Sequence, residues 1–141
     1  MMLQYTPAEI SDVPEIFAQA KHLIDAYEDI ASIDYAKVLL WVKQKIEANI
    51  HDYCCVTADG EKCAYFRLCD DGELDDLYVL PAWQGQGIGS EILRKCITDS
   101  VKPLYLYVFF RNNRAISFYK KFGFSVRETV GKTRLIMARK G

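Results

Sequence analysis

Residues 78–93 read YVLPAWQGQGIGSEIL, with glycines at 85, 87 and 89 followed at once by an apolar pattern. Ile88, Ile92, Leu93, Cys96 and Ile97 recur at helical spacing, so a helix begins at or inside the glycine cluster. The segment before it, ELDDLYVLP, is strand-like, and the glycines therefore stand where a strand hands over to a helix. The first turn of a helix carries N–H groups without internal partners, and the macrodipole favours negative charge there. With Cβ atoms missing from the loop, a phosphate can come close to the main chain. Two common phosphate binders fail on spacing. Gly85-x-Gly87 is followed by Ser90, and Gly87-x-Gly89 by Ile92, so there is no dinucleotide fingerprint; no G-x-x-x-x-G-K-S/T occurs for a nucleoside triphosphate loop, since Gly131-Lys132-Thr133 has Val126 where the first glycine would stand.

Working outward, LQYT reads as a first strand. Asp12 with Glu15 makes a capping box, and Val13, Ile16, Phe17, Ala20, Ile24 and Tyr27 follow on one helical face. A second helix starts at Asp34 and carries Tyr35, Val38, Leu39, Val42 and Ile46. Asp59-Gly60 and Asp71-Gly72 then punctuate three β-like runs, as hairpin turns do. Beyond the glycine loop, PLYLYVFF is apolar on both faces and reads as a central strand. Asn112 or Asn113 caps a helix bearing Ala115, Ile116, Tyr119 and Phe122, which Gly123 stops; two strands around Gly131 follow. The order predicts an α+β, mixed α/β layer: a mostly antiparallel twisted sheet of about six to seven strands with about four helices, as a single domain over residues 1–141.

Composition narrows the function. The chain of 141 residues has a net charge of −1, which disfavours a nucleic-acid binder. The first residues lack the pattern of an export signal and no apolar run is long enough for a membrane span, so a cytoplasmic protein without membrane contact is expected. Five cysteines, with no C-x-x-C and only His22 and His51 as nitrogen ligands, read as buried thiols in preference to a zinc site; no metal is expected.

The segment Gln84-Gly85-Gln86-Gly87-Ile88-Gly89 resembles the Q/R-x-x-G-x-G/A loop of the GCN5-related N-acetyltransferases (GNAT). ELDDLYVLP is similar to that family's fourth strand, and residues 112–124, NNRAISFYKKFGF, to its N-x-x-A-x-x-F/Y-Y-x-x-x-G-F segment. The three stand in family order and cover residues 73–124. The resemblance implies a GNAT-like fold and an enzyme that moves the acetyl group of acetyl-CoA to a primary amine of a small molecule or peptide, directly within a ternary complex. None of the cysteines matches a family nucleophile.

It also implies site residues. Glu73 is the first choice for general base, with Asp75, Asp76 or a water relay as alternatives; an alkylamine with a pKa of about 10 must lose a proton before it attacks. Alternation places Asp75 on the face of Glu73. The main chain of Leu77, Tyr78 and Val79 is expected to hold the thioester and pantetheine arm, with a strand bulge freeing the Val79 N–H for the oxyanion. Gln84, Gly85, Gln86, Gly87, Ile88, Gly89 and Ser90 take the phosphates, Asn112 caps its helix or reaches the pantetheine amides, and Tyr119 protonates the departing thiolate or is a core residue. Asp25, Glu28 and Asp29 in the first helix–helix turn suggest attraction of a cationic amine. Trp41 and Trp83 read equally as packing or rim residues. A monomer or homodimer is expected. The alternative function is a non-catalytic acyl-CoA sensor or interaction module.

Overall fold

A computed structural model describes residues 1–140. Strand β1 (Leu3–Pro7) leads through a 3₁₀ turn into helices α1 (Val13–Tyr27) and α2 (Tyr35–Ala48). Strands β2 (Cys54–Ala58), β3 (Glu61–Leu68) and β4 (Leu74–Val79) follow, then α3 (Ile88–Asp99), β5 (Tyr105–Phe109), α4 (Asn113–Lys121), β6 (Phe124–Val130) and β7 (Arg134–Arg139). Seven strands and four helices were expected in this order. The helix starts behave locally as read: Asp34 accepts the Lys37 N–H and Asn112 accepts the Ala115 N–H. At the β2–β3 hairpin, Asp59 (φ +52°) and Gly60 (φ +85°) both take the left-handed conformation that a tight two-residue turn demands.

The strands form two antiparallel sheets, ordered β1-β2-β3-β4 and β5-β7-β6. A single parallel bridge, Glu73 to Tyr105, joins them, and beyond it β4 and β5 part. Helices α1 and α2 cover one face of the first sheet: Val13, Ile16, Ala20 and Ile46 pack on Tyr53, Cys55, Tyr65 and Tyr78. Helix α3 covers the other. Its Ile88, Ile92, Leu93 and Cys96 meet Val56, Ala64, Phe66 and Leu74 and also Leu106, Val108 and Met137 of the second sheet. One apolar core therefore fastens both sheets from the α3 side. Truncating the fully buried Ile92 to Ala would cost about 2–5 kcal/mol.

Two local expectations are corrected. The Asp12–Glu15 capping box does not form. Asp12 is buried and accepts the Glu9 N–H, Lys62 Nζ and the Tyr65 hydroxyl, while Glu15 takes the same hydroxyl at 2.6 Å. A buried carboxylate gains more from a cation and a phenol across the sheet than from its own helix. The run expected to be a central strand is β5, which lies at an edge of its sheet. It is apolar on both faces because Leu106 and Val108 enter the core while Tyr105, Tyr107 and Phe109 alternate onto the opposite face.

Candidate active site

The divergence of β4 from β5 opens a cleft of about 790 Å³ that reaches from Gln84, Asn112 and Tyr119 to Trp41, Glu73 and Arg134. Its two sides are built from different materials.

On the α3 side the main chain dominates. The Leu80 N–H bonds the Cys63 carbonyl, so antiparallel alternation turns the main-chain groups of Val79, and of Leu77 before it, away from β3 and towards the cleft. Gln84 Nε2 donates to the Val79 carbonyl at 3.0 Å, which ties the loop to the strand end and leaves the Val79 N–H facing the opening. Gly85 (φ +79°) and Gly87 (φ +81°) need the left-handed conformation, and a Cβ on either would meet nothing within 4 Å. Gly87 is the N-cap of α3 and offers no side-chain acceptor, while the first intrahelical bond runs from the Glu91 N–H to the Gly87 carbonyl. The N–H groups of Ile88, Gly89 and Ser90 are thus left without helical partners. Gly89 differs from the other two: a Cβ there would sit 3.6 Å from Phe118 and Val79, at ordinary contact distance. Gln86 Nε2 donates to the Ala82 carbonyl at 3.4 Å, which folds its side chain back along the loop.

Several expected residues sit differently from one another. Ile88 is 2% exposed, its side chain packed in the core, so only its amide is left for a ligand. Tyr78 turns the other way: its main chain faces β3, and its side chain lies among the α1–α2 residues with the hydroxyl donating to Asp76 at 2.6 Å. The bulge expected at Val79 lies at Asp75, where Arg67 pairs with Asp76 but Leu68 pairs with Leu74. Val79 has free main-chain groups because β5 has moved away. Asn112 is buried, caps α4 through Oδ1 and lines the cleft. Tyr119 reaches the cleft with its ring packed edge-on against Phe118 and Phe124. Its hydroxyl has no hydrogen-bond partner among the described residues, and burial, then the charges of Cys96 and Asp76, hold its pKa well above that of a free phenol.

Side chains build the α1–α2 side. Glu73 is half-buried, and its carboxylate has no hydrogen-bond partner among the described residues. Burial raises its pKa, and Asp75 and Asp71 push the same way against Lys45 and Arg67. Asp75 is already committed, at 2.9 Å from Lys45 Nζ and 2.8 Å from Arg67 Nη1. The bulge also breaks the alternation that was to put Asp75 beside Glu73. Asp76 accepts the hydroxyls of Tyr53 at 2.5 Å and Tyr78 at 2.6 Å, and burial raises its pKa despite Lys45. Of the three carboxylates, Glu73 alone is free to accept a proton from a ligand. Trp41, 60% exposed, stands at the rim, whereas Trp83 packs between the two core clusters.

In the acidic helix–helix turn only Asp25 has a cationic partner among the described residues. Asp25 binds Lys21 and the Tyr35 hydroxyl, Glu28 accepts the Asp29 N–H, and Asp29 accepts Ser32 Oγ. These carboxylates fold the turn. Arg111 reaches across to donate to the Tyr27 and Glu28 carbonyls, tying the end of α1 to the β5–α4 connection. All five cysteines are free, and burial raises each thiol, Cys96 to about 12. Cys69, Asp71 and Glu73 bring their ligating atoms within 4.8 Å of one another, although Asp71 already accepts the Glu73 N–H and the Tyr105 hydroxyl.

Lys45, Arg67, Tyr53 and Arg134 line or underlie the site and were not singled out from the sequence. Arg67 carried a signal, since a charge inside the apolar run CAYFRL requires a partner. A second signal lay in the distribution of charge. Residues 101–141 hold ten of the eighteen lysines and arginines and only one of the nineteen carboxylates, Glu128. The net charge of −1 is a cancellation between an acidic first part and a basic last part. No helix among the described residues is long and apolar enough to cross a membrane.

Comparison with known proteins agrees with this architecture. Residues 49–126 match the acetyltransferase (GNAT) domain. The peptidyl-lysine N-acetyltransferase YjaB of Salmonella typhimurium is 26% identical over 126 residues, covering 89% of this chain and 86% of that protein. Among solved structures, apo YjaB from Escherichia coli superposes with a TM-score of 0.74 at 20% identity, over 100% of this chain and 99% of that one. The PaiA N-acetyltransferase of Thermoplasma acidophilum, in complex with coenzyme A, superposes with a TM-score of 0.70 at 21% identity over the whole of both chains. With its domain match, its seven-strand, four-helix fold and its parted strands, the chain belongs to the GNAT family and is an acetyl-CoA-dependent N-acetyltransferase.

Proposed function

We propose that the acceptor is a primary amine of a small molecule or peptide and that transfer is direct, with both substrates bound in the one cleft. The observation that carries this reading is an unpaired, partly desolvated carboxylate, Glu73, in one cleft with Gln84, the residue that leads into the unpaired amides at the start of α3. The loop fits the cosubstrate. Gly85 and Gly87 turn the chain through a conformation that other residues resist, and the N–H groups of Ile88, Gly89 and Ser90 open α3 without helical partners, as an anion site at a helix start requires. The Leu77 and Val79 main chain and Asn112 would hold the pantetheine arm.

Acetyl-CoA, when bound, supplies an acyl group activated as a thioester. Glu73 accepts the proton that the attacking amine gives up, and its raised pKa makes it a better base than an exposed carboxylate. The Val79 N–H donates to the acyl oxygen as negative charge gathers there. Tyr119, kept protonated by burial, gives its proton to the sulfur as the C–S bond breaks, so the products are the N-acetyl amine and the free thiol. Asp75, held between Lys45 and Arg67, positions the β4 bulge without taking part in proton transfer.

The test is thiol release from acetyl-CoA over a panel of polyamines, amino acids, aminoglycosides, peptide N-termini and lysine peptides. The activity named for the Salmonella relative puts lysine peptides first. Release with at least one amine is expected; coenzyme A binding with no release on any of them would favour the sensor reading.

A further inference from the structure

Beneath the opening, the cleft is polarised. One wall, β4 and the turn before it, carries Glu73, Asp75 and Asp76; the facing wall carries Arg134, the first residue of β7. Three long cationic side chains line the cleft, Lys45, Arg67 and Arg134. Lys45 and Arg67 are both spent on Asp75, at 2.9 and 2.8 Å. Arg134 has no carboxylate partner and donates no side-chain hydrogen bond among the described residues. Its side chain is exposed and lies against one neighbour. Arg134 pairs across the ladder with Phe109, and its guanidinium lies 5.3 Å from the centre of that ring. Stacking on a face leaves the in-plane N–H fork open, which is the geometry that grips a carboxylate with two parallel hydrogen bonds. Tyr107, on the same face and 45% exposed, extends this surface. The excess of basic residues after residue 100 adds a field of the same sign.

Resting on the acetyltransfer reading above, we infer that Arg134, stacked on Phe109, is a specificity-determining subsite for a carboxylate carried by the acceptor amine. The acceptor then spans the cleft with opposite polarity to it: the reacting nitrogen towards Glu73, the acidic group towards β7. That group is either the acceptor's own α-carboxylate or an acidic side chain beside the target amine in a peptide.

Matched pairs decide this. Nα-acetyl-lysine against Nα-acetyl-lysinamide, and capped lysine tripeptides with Glu against Gln next to the lysine, differ only in one negative charge. Each pair is measured by thiol release and by calorimetric titration into the protein–coenzyme A complex. The wild type should prefer the carboxylate member of at least one pair by about tenfold or more, as befits a charge-assisted hydrogen bond. Arg134→Gln should bring that ratio close to one; Arg134→Lys should retain part of it. Arg127→Gln, whose guanidinium sits over Tyr105 and does not line the cleft, should retain it all. Preference in the small pair identifies an α-carboxylate, and preference in the peptide pair an acidic neighbour. Discrimination within twofold in both pairs overturns the inference, as does a ratio that survives in Arg134→Gln. Discrimination in binding without thiol release would keep the subsite and remove the catalytic reading instead.

Discussion

The two sides of the cleft solve recognition by opposite means. The α3 side presents main-chain N–H groups fixed by a strand end, two left-handed glycines and a helix start. The α1–α2 side presents side chains from separate elements: Lys45 from α2, Arg67 from β3, Glu73 and Asp75 from β4 and the turn before it, Arg134 from β7. A main-chain site binds what every relative shares and survives most side-chain substitutions. A side-chain site can be rebuilt one residue at a time, and on the reading proposed above it is the side that chooses the acceptor.

Substitutions should separate the two sides. The largest effect is expected for Glu73→Gln, which removes the base: kcat should fall by about 10²–10⁴-fold with the Kd of coenzyme A, read by calorimetry, within twofold of wild type. Its pH behaviour sharpens the test. Because the raised pKa of Glu73 sets where the base form is lost, the wild-type acidic limb should lie above the ordinary carboxylate value of about 4.3 and vanish in the variant. The sign for stability is opposite to that for activity. A carboxyl whose pKa is raised in the fold contributes stability below its unfolded pKa and loses it as pH rises through the folded one. At pH 7 Glu73→Gln should therefore melt slightly higher, with the gap closing in acid; a lower Tm at pH 7 would show that Glu73 is held by favourable contacts.

Tyr119→Phe comes next, with kcat reduced by about 10–100-fold and coenzyme affinity nearly unchanged. Equal turnover across the pH range would take the phenol out of the mechanism. Gly87→Ala should act on the other side alone. Its φ of +81° costs a residue with a Cβ about 1–2 kcal/mol, so coenzyme affinity should weaken by about tenfold with the acceptor KM little altered. The smallest effect is expected for Trp41→Ala, whose exposed ring at the rim should change stability by under about 0.5 kcal/mol and raise only the acceptor KM, by a few-fold. A matching rise in the coenzyme Kd would break the division between the sides.

The main-chain side was legible in the sequence because left-handed turns leave glycine as their trace and a helix start leaves its periodicity. Gly85, Gly87 and the stripe from Ile88 to Ile97 spelled out the loop, and Asn112 marked the start of α4. On the other side the sequence singled out Glu73, which the structure leaves unpaired in the cleft, and the rest was obscured. One inserted residue at Asp75 shifts the strand register, so period-two counting assigned that carboxylate a freedom it does not have. The double-sided apolarity of 104–110 meant a central strand by rule, yet one of its faces is the aromatic flank of a cleft. Of the acidic turn, the sequence did not reveal that Lys21 and Tyr35 fold back on Asp25 and that Ser32 donates to Asp29. Net charge hid the most, since two large opposite excesses sum to almost nothing.

The parting of the sheets depends on one turn. Gly72 has φ +96°, and a Cβ placed on it would lie 2.3 Å from the Pro103 carbonyl oxygen, beside the lone Glu73–Tyr105 bridge. That residue is a rivet between two blades. Its lack of a side chain lets the blades close on each other at the hinge of the jaws, so that hinge hangs on the smallest amino acid in the chain, one position before Glu73.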